Sequence, residues 1–197
     1  MTILALDISS SCTGWAFLSM TTGIPVWSFG TIVRPKYLVN LTHNDLLMTD
    51  ALAWFNSEIA HLIELHAPDY ICAEDINIKF AMTMRTIAMF HAAASIAASD
   101  HDIKVFNKVS NASIRSVFGF YKYNVNKKMP KEKQEAIKAL RAPIQKKAKE
   151  NKVDFTKVLM VDNVNEMFGK GLQYSQHDIA DAMAVAWTFC AKECVND

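Results

Sequence analysis

The sequence has few of the features that mark secreted, membrane-spanning or zinc-binding proteins. Its 197 residues include only four cysteines with no CxxC pair, so neither a zinc site nor a disulfide framework is expected. No apolar run approaches the roughly 18 residues of a membrane span, and no basic region precedes the first apolar segment. We therefore expect a cytosolic protein with no membrane partner. The thiols interpreted as buried or incidental are Cys12, Cys72, Cys190 and Cys194.

The small net charge of +1 conceals a strongly basic segment. From Lys104 to Lys157 there are 15 lysines and arginines against four acids, a net charge of +11, which leaves −10 for the rest of the chain. Such a segment is typical of a surface that binds a polyanion. A solvated, lysine-rich helix face is the other interpretation. With 51% hydrophobic and 21% charged residues, the chain is otherwise composed like one globular domain with a sizeable core.

The first apolar stretch, Thr2–Leu6, ends in a lone carboxylate, Asp7. A continuous apolar run bounded by a Ser/Thr/Gly-rich turn is typical of a central strand that is buried on both faces. A carboxylate at the end of such a strand is costly unless a cation, a hydrogen-bond donor or solvent accompanies it. Asp7 therefore either caps the Ser/Thr turn that follows or belongs to a cation site.

Three strands and a crossover unit are predicted in the first half of the chain. The strands cover residues 2–7, 14–20 and 25–33, and the short turns predict antiparallel pairing. An amphipathic helix from about Asn44 to His66 leads to a short apolar strand, Tyr70–Ala73, which ends at Glu74. This strand is expected to run parallel to the first, so Glu74 leaves the sheet at the same edge as Asp7.

The second half is predicted to be mostly helical. Residues 81–99 form a nearly uncharged helix, which either packs in the core or forms a subunit interface. Ile103–Phe106 is the candidate last strand. Residues 120–130 interleave aromatics with lysine and asparagine, which predicts an exposed loop suited to stacking on bases and pairing with phosphates. Further helices are predicted over residues 110–118, 131–151, with Pro143 as a candidate kink, and 155–168.

The final helix places two acids on one side. Ser175 and Asp178 fit the Ser-x-x-acid start of a capped helix. Asp178 and Asp181 are three residues apart, so their carboxylates lie a turn apart and repel each other unless a cation lies between them. A helix cap at Asp178 and an ordinary polar residue at Asp181 are the alternative interpretations.

Four acids thus lie at the ends of apolar elements: Asp7, Glu74, Asp178 and Asp181. Hard divalent cations such as Mg²⁺ prefer oxygen ligands and bind through a few carboxylates, water and substrate phosphate. Two such ions about 4 Å apart can activate water and stabilise the leaving oxygen of a phosphodiester. Four carboxylates beside a basic segment therefore point to phosphodiester hydrolysis on nucleic acid.

These motifs resemble the RuvC-type Holliday junction resolvases, which have the RNase H-like fold. The resemblance rests on Leu6-Asp7-Ile8-Ser9, Thr13-Gly14-Trp15-Ala16, Ala73-Glu74 and the run from Asp178 to Ala186, and it spans almost the whole chain. It implies an α/β fold: a mixed five-stranded sheet, three antiparallel strands then two parallel, flanked by helices. The expected organisation is a single nuclease domain over residues 1–197, with a basic loop and helix insertion at about residues 119–152 that resembles phage or viral members.

The resemblance also implies an activity and a set of site residues. It implies a structure-selective endonuclease, a homodimer that resolves Holliday junctions and other branched DNA by paired hydrolysis, without a small-molecule cofactor. Asp7, Glu74, Asp178 and Asp181 match the family's catalytic acids, which hold two Mg²⁺ or Mn²⁺ ions per active site. The helix at residues 81–99 is a candidate dimer interface, and a phage enzyme would act in the host cytoplasm. Residues expected to contact DNA are Lys108, Arg115, Lys122, Lys127, Lys128, Lys131 and Lys133.

Some features depart from the family pattern. Asp75 follows Glu74 as a candidate extra ligand, but strand alternation points it to the opposite face. His177 either orients a water or faces solvent, and the 120–130 loop lacks the family's glycine-rich stretch.

Two other functions stay open. One is a sugar-kinase or actin-like ATPase, whose phosphate-binding turn resembles residues 7–11, but the chain is too short for the two lobes of those folds. The other is a non-catalytic protein that binds branched nucleic acid on the same scaffold. The presence of all four acids favours the nuclease.

Overall fold

A mixed five-stranded sheet between two layers of helices forms the molecule, as predicted. The computed structural model describes residues 1–38, 45–76, 81–103 and 106–193. The strands lie in the order β3-β2-β1-β4-β5; the first three pair antiparallel, whereas β4 and β5 run parallel to β1. The strands are β1 Thr2–Asp7, β2 Cys12–Ser19, β3 Val26–Val33, β4 Tyr70–Glu74 and β5 Phe106–Val109. The helices are α1 Asp45–His66, α2 Ala81–Asp100, α3 Asn111–Val117, α4 Lys131–Asn151, α5 Phe155–Phe168 and α6 His177–Glu193.

The central strand β1 is buried on both faces because each face meets a different helical layer. Ile3 and Ala5 pack against α5 and α6, whereas Leu4 and Leu6 pack against α1 and α2. All four are fully buried, which confirms the sequence interpretation of this run. Helix α2 packs its alanines against α1, so its core-packing role is also confirmed.

The cysteines form no disulfide among the described residues. Cys72 and Cys190 are buried thiols, Cys12 is a partly exposed one, and Cys194 lies outside the described residues. In the same part of the chain, no helix is both long enough and apolar enough to cross a membrane.

The last strand lies three residues later than the sequence predicted. Ile103 belongs instead to the end of α2: Asp102 has a φ of 57°, and the Ile103 N–H donates to the Ala98 carbonyl at 3.0 Å. This six-residue hydrogen bond is typical of a Schellman helix end. Lys104 and Val105, which belong to the predicted strand, lie outside the described residues, as does Asn44 at the predicted start of α1.

The segment predicted to be an exposed loop, residues 120–130, begins with a 3-10 helix whose first residue is buried. Gly119, with a φ of 67°, ends α3 and leads into a 3-10 helix over Phe120–Tyr123. Phe120 is buried, and the Tyr123 ring meets the Phe155 ring edge-on, with centroids 6.1 Å apart. The loop prediction is therefore wrong for these four residues, which form a 3-10 helix, but the predicted exposure holds for Tyr121 and Lys122.

Gln173, and not the predicted Ser175, caps the 3-10 turn that leads into α6. Residues Tyr174–Gln176 form a 3-10 turn, so Ser175 lies inside the turn rather than at a cap. The Gln173 N–H donates to the Gln176 side-chain oxygen at 2.8 Å, which closes that turn. By contrast, α3 begins as its sequence predicts, with the Ser110 hydroxyl accepting from the Ser113 N–H at 3.2 Å.

Candidate active site

Asp7 and Glu74 lie side by side at the ends of two adjacent strands, the central strand β1 and its neighbour β4. The parallel register pairs Leu6 with Ala73, so the next residue of each strand is a carboxylate at the same edge. Both acids continue the alternation of side chains that contact α6, and both therefore face that helix. The crossover predicted from the sequence thus produces this pair.

The serine turn after β1 is held by Ser9 and not by Asp7. The Ser9 hydroxyl accepts from the backbone N–H groups of Ser11 at 3.4 Å and Cys12 at 3.1 Å, and donates to the Cys12 carbonyl. Within the described ranges Asp7 makes none of the turn's hydrogen bonds. The local-cap interpretation does not describe Asp7, so its burial calls for another explanation.

Helix α6 approaches β2 so closely that only glycine fits at position 14. Gly14 pairs with Asp7 in the antiparallel ladder. A Cβ atom on Gly14 would overlap the backbone carbonyl group of Asp178 and touch the backbone nitrogen of Ile179. Because the start of α6 lies directly on this ladder, Asp178 and Asp181 are brought to Asp7 and Glu74.

Asp7 and Asp181 are buried beside the other carboxylates, and their pKa values reflect both conditions. Burial raises the pKa of Asp7 well above its usual value, and the charges of Asp181, Glu74 and Asp178 raise it further. Burial also raises the pKa of Asp181 to about 7, with the negative charge of Glu74 as the next cause. Lys157 lowers both pKa values. One nearby cation therefore offsets only part of the repulsion.

Lys157 and His177 sit against the carboxylates at the start of α6. The Lys157 Nζ lies 3.9 Å from Asp178 Oδ1, and the His177 Nδ1 lies 2.7 Å from the same oxygen. The Lys157 Nζ also lies 2.9 Å from His177 Nδ1. That nitrogen cannot donate to the carboxylate and accept from the ammonium at once, so only one of the two contacts is a hydrogen bond at a time. His177 thus contacts site groups instead of simply facing solvent.

The carboxylates of the site suit a hard divalent cation, which prefers oxygen ligands. Ligand atoms of His177, Asp178 and Asp181 lie within 4.8 Å of one another, a spacing that can hold a metal ion. Asp7 and Glu74 are not part of this closest group among the described residues. In a site with two ions, each ion has its own ligands, so the four acids need not all lie in one close group. The positive charge of such ions would offset the repulsion between buried carboxylates.

A small pocket of about 140 Å³ opens onto two of the four acids. Glu74, Asp181, Lys157 and Arg115 are among its lining residues. The Asn111 side-chain amide donates to Glu74 Oε1, which fixes the orientation of that carboxylate. The site is therefore an acidic floor with basic and amide groups on its walls.

The basic residues expected to contact DNA are divided between the two faces of the sheet. Arg115 lines the carboxylate pocket from α3. Lys108 lies on the opposite face, where burial lowers the pKa of His91 on α2 and the Lys108 charge lowers it further, so Lys108 does not line this pocket. Asp75 raises the pKa of the same histidine, which places it on the face that strand alternation predicts. The other predicted contacts are exposed and follow α3: Lys122, Lys127, Lys128, Lys131 and Lys133.

Sequence reasoning missed three groups that belong to this site. Lys157 was one charge in a basic segment, and nothing local in the sequence places Asn111 against Glu74. Cys12 is predicted to be incidental, but it lies beside Asp178: burial raises the pKa of its thiol, and the Asp178 carboxylate raises it further. Each arrives through tertiary contacts with α3, α5 or α6, and only the position of His177 next to Asp178 gave a sequence signal.

Comparisons with known proteins identify the fold. No protein-family model and no curated protein sequence matches the chain. Thermus thermophilus RuvC is similar, with a TM-score of 0.64 and 10% identity over 100% of this chain and 97% of that one. Its complex with a Holliday junction substrate gives a TM-score of 0.62 and 10% identity over 98% of this chain and 96% of that one. The yeast mitochondrial Holliday junction resolvase gives a TM-score of 0.53 and 13% identity over 95% of this chain and 76% of that one. The chain therefore has the RNase H-like fold of the RuvC-type Holliday junction resolvases.

Proposed function

We propose that the chain is a divalent-metal-dependent endonuclease that cuts branched DNA, with four-way junctions as its substrate. The observation that carries this proposal is that buried Asp7 and Asp181 lie close enough to Glu74 and Asp178 at one edge of the sheet for those charges to raise the pKa of each, beyond the larger effect of burial. Two Mg²⁺ or Mn²⁺ ions held by these acids would activate water and stabilise the leaving oxygen of the phosphodiester. The similar structures solved as Holliday junction resolvases support the same substrate class.

The chain's own residues orient the acids and the phosphate. Asn111 fixes Glu74 through its amide, and the contact of His177 with Asp178 restrains that carboxylate. Arg115, exposed at the pocket wall, is the guanidinium best placed to hold a phosphate oxygen, since it can donate two parallel hydrogen bonds. Lys157 keeps a positive charge beside Asp178 and lowers the repulsion when the substrate phosphate arrives.

The segment after the 3-10 helix forms the proposed path of the DNA backbone. Lys127, Lys128, Lys131 and Lys133 are exposed, and none forms an ion pair with any described acid. Lys131 and Lys133 lie in the first turn of α4, where the helix dipole disfavours cations. Unpaired lysines at an unfavourable position are explained better by a polyanionic ligand than by stability.

The direct test of the proposal uses a synthetic four-way junction. The protein should nick opposed strands in Mg²⁺ or Mn²⁺, should not nick them in a chelator, and should leave a linear duplex of the same sequence intact. Binding without nicking in any divalent ion would instead favour a non-catalytic junction-binding protein.

We also propose a homodimer, so that paired active sites cut opposed strands. The face of α2 turned away from the core exposes Ala88, Ala92 and Ile96, the last of which is 56% exposed. Small residues beside an apolar one allow close helix contact between subunits. Gel filtration measures this directly, and elution as a monomer at working concentration would contradict paired cutting by one dimer.

Replacing Lys127 and Lys128 together by Ala should weaken junction binding and flatten its salt dependence. Each phosphate contact contributes about 0.9 to the slope of log affinity against log salt for duplex DNA, so the slope should fall by up to about two. The measurement is binding affinity over a series of salt concentrations.

A matched control removes two lysines that already have acidic neighbours. Lys138 lies 2.7 Å from Glu135, and Lys146 lies 3.9 Å from Glu150. Their double Ala variant should change the slope less, and equal slopes for both double variants would exclude Lys127 and Lys128 from the phosphate path.

Asp7 and Asp181 should make the metal-free protein lose stability as pH rises from about 4 to about 7. Their folded pKa values lie above the ordinary value of 3.8, so these two groups bind more protons in the folded state than in the unfolded state across this window. Buried His91, whose pKa burial lowers to about 4, contributes in the opposite direction and offsets part of this loss. Divalent ions bind the deprotonated acids and should therefore raise the unfolding temperature more at pH 8 than at pH 5. Thermal unfolding in chelator and in Mg²⁺ measures both effects.

Asp181→Asn serves as the reference for this measurement because it removes one of the two titrations. In chelator, wild type should become less stable relative to Asp181→Asn as pH rises. A difference that does not change between pH 4 and pH 8 would contradict the raised pKa of Asp181.

A further inference from the structure

A second pocket opens directly beside the carboxylate pocket. Its volume is about 270 Å³, and α3, the 3-10 helix, α4 and α5 form its walls. The two pockets share Arg115, Phe120 and Thr156 as lining residues. A nucleotide whose phosphate lies at the acids would therefore have its neighbouring base within reach of this second pocket.

The walls of this pocket suit an aromatic ring with hydrogen-bond acceptors. Four aromatic side chains line it, together with two arginines, and no acid is among the described lining residues. Its volume is just under the roughly 300 to 1,000 Å³ of pockets that hold drug-sized ligands, so it fits a single base and not a base pair. A phosphate alone would use the arginines but would give no role to the largely exposed ring of Tyr121. The aromatic residues are Phe120, Tyr121, Tyr123 and Phe155.

Arg141 on α4 has hydrogen-bonding capacity that the protein does not use. Its guanidinium carbon lies 4.8 Å from the centroid of the Phe155 ring, and its Nη1 lies 3.5 Å from the Tyr123 carbonyl oxygen, at the limit for a hydrogen bond. Its Nε is buried and has no partner among the described residues. A guanidinium has five N–H donors, so its terminal nitrogens keep donors for an acceptor that enters the pocket.

We propose that this pocket receives one unstacked nucleobase next to the scissile phosphate, and that Arg141 reads it. Guanine fits best, because its O6 and N7 acceptors match the forked donors of a guanidinium, while the aromatic walls stack on its ring. Bases at a branch point are less well stacked and paired than those in a duplex, so taking one out of the stack costs less there. This inference rests on the proposed function and adds a cleavage-site preference to it.

The test compares junctions that differ only in the nucleotides flanking the mapped cut. Each flanking position carries each of the four bases in turn, and initial nicking rates are measured for wild type and Arg141→Ala. Wild type should prefer guanine at one flanking position by roughly tenfold, the discrimination of one good arginine–guanine contact. Arg141→Ala should nick all four junctions at rates within about twofold of one another.

Two further variants separate base reading from charge and from folding. Arg141→Lys keeps the charge and loses the planar fork, so it should also lose the preference while keeping the wild-type salt slope. Lys138→Ala removes a charge from the same helix outside the pocket and should keep the preference. Thermal unfolding checks each variant, and Arg141→Lys keeps the test valid if the Ala variant does not fold.

Distinct outcomes would overturn the inference. If Arg141→Ala weakens binding equally for all four bases and lowers the salt slope by about one, Arg141 contacts a phosphate and reads no base. Equal wild-type rates for all bases at both flanking positions would also overturn it. If wild type nicks no junction, the proposed function fails, and affinities for the same four junctions in chelator then decide the base preference alone.

Discussion

Asp181→Asn should abolish junction nicking and leave junction binding intact. The substitution keeps the size of the side chain but removes a buried carboxylate whose pKa is raised to about 7 by burial and by Glu74. A neutral amide is a poorer metal ligand, so nicking should fall by more than about 100-fold, the upper end of losses for residues one shell outside a metal site. Removing a negative charge cannot weaken the attraction for phosphates. Nicking rates and binding affinities on the same junction measure both effects.

Asp75→Asn is the matched control for this prediction. Asp75 is adjacent to Glu74 in sequence and undergoes the same chemical change, but it is exposed and acts on His91 on the other face of the sheet. Its nicking rate should stay within about threefold of wild type, the range of small context effects around a distant site. Wild-type nicking by Asp181→Asn would contradict the assignment of the acids, and equal losses in both variants would indicate a general charge effect.

Local sequence patterns were sufficient for elements whose ends are set by their own residues. The apolar run before Asp7 predicts a central strand because only such a strand is buried on both faces, and β1 confirms it. The helix–strand order after β3 predicts a crossover, and the register of Leu6 with Ala73 confirms the shared edge of Asp7 and Glu74. Both predictions depend on burial and chain connectivity, which periodicity reports directly.

The errors arise where tertiary contacts decide between local alternatives. Ile103 fits a strand equally well, but its hydrogen bond to Ala98 assigns it to the end of α2. The aromatic run after Gly119 fits an exposed loop, and its packing against Phe155 becomes visible only once α5 is in place. Lys157 on α5 likewise contacts Asp178 on α6, and no spacing in the sequence predicts that contact.

The glycine at position 14 belongs to both groups. The sequence motif around it supports the family resemblance, but its physical reason lies in how closely α6 approaches β2. The same contact sets the distance between the acids of α6 and those of the sheet, so it links packing directly to the geometry of the site.

Gly14→Ala should therefore damage stability and nicking together. The new Cβ would overlap the backbone of Asp178, and no side-chain rotation can relieve a backbone clash, so α6 must shift. Overpacking of this kind costs about 1 to 3 kcal/mol, which lowers the unfolding temperature by roughly 2 to 12 °C in a chain of this size. A displacement of about 1 Å at reacting groups can cost about 100-fold in rate. Thermal unfolding and nicking, the latter at a temperature where the variant stays folded, measure the two losses.

Gly23→Ala separates the loss of stability from the loss of geometry. Gly23 has a φ of 77°, and no described atom lies within 4 Å of the point where a Cβ would be added. The substitution therefore strains the backbone by about 1 to 2 kcal/mol without moving any neighbour. It lies in the turn between β2 and β3, away from the acids, and should lower the unfolding temperature while nicking at nearly the wild-type rate. Comparable nicking by the two variants would show that Asp178 and Asp181 keep their positions without the close approach at Gly14. A selective loss in Gly14→Ala would instead establish that helix packing on the strand sets the geometry of the carboxylates.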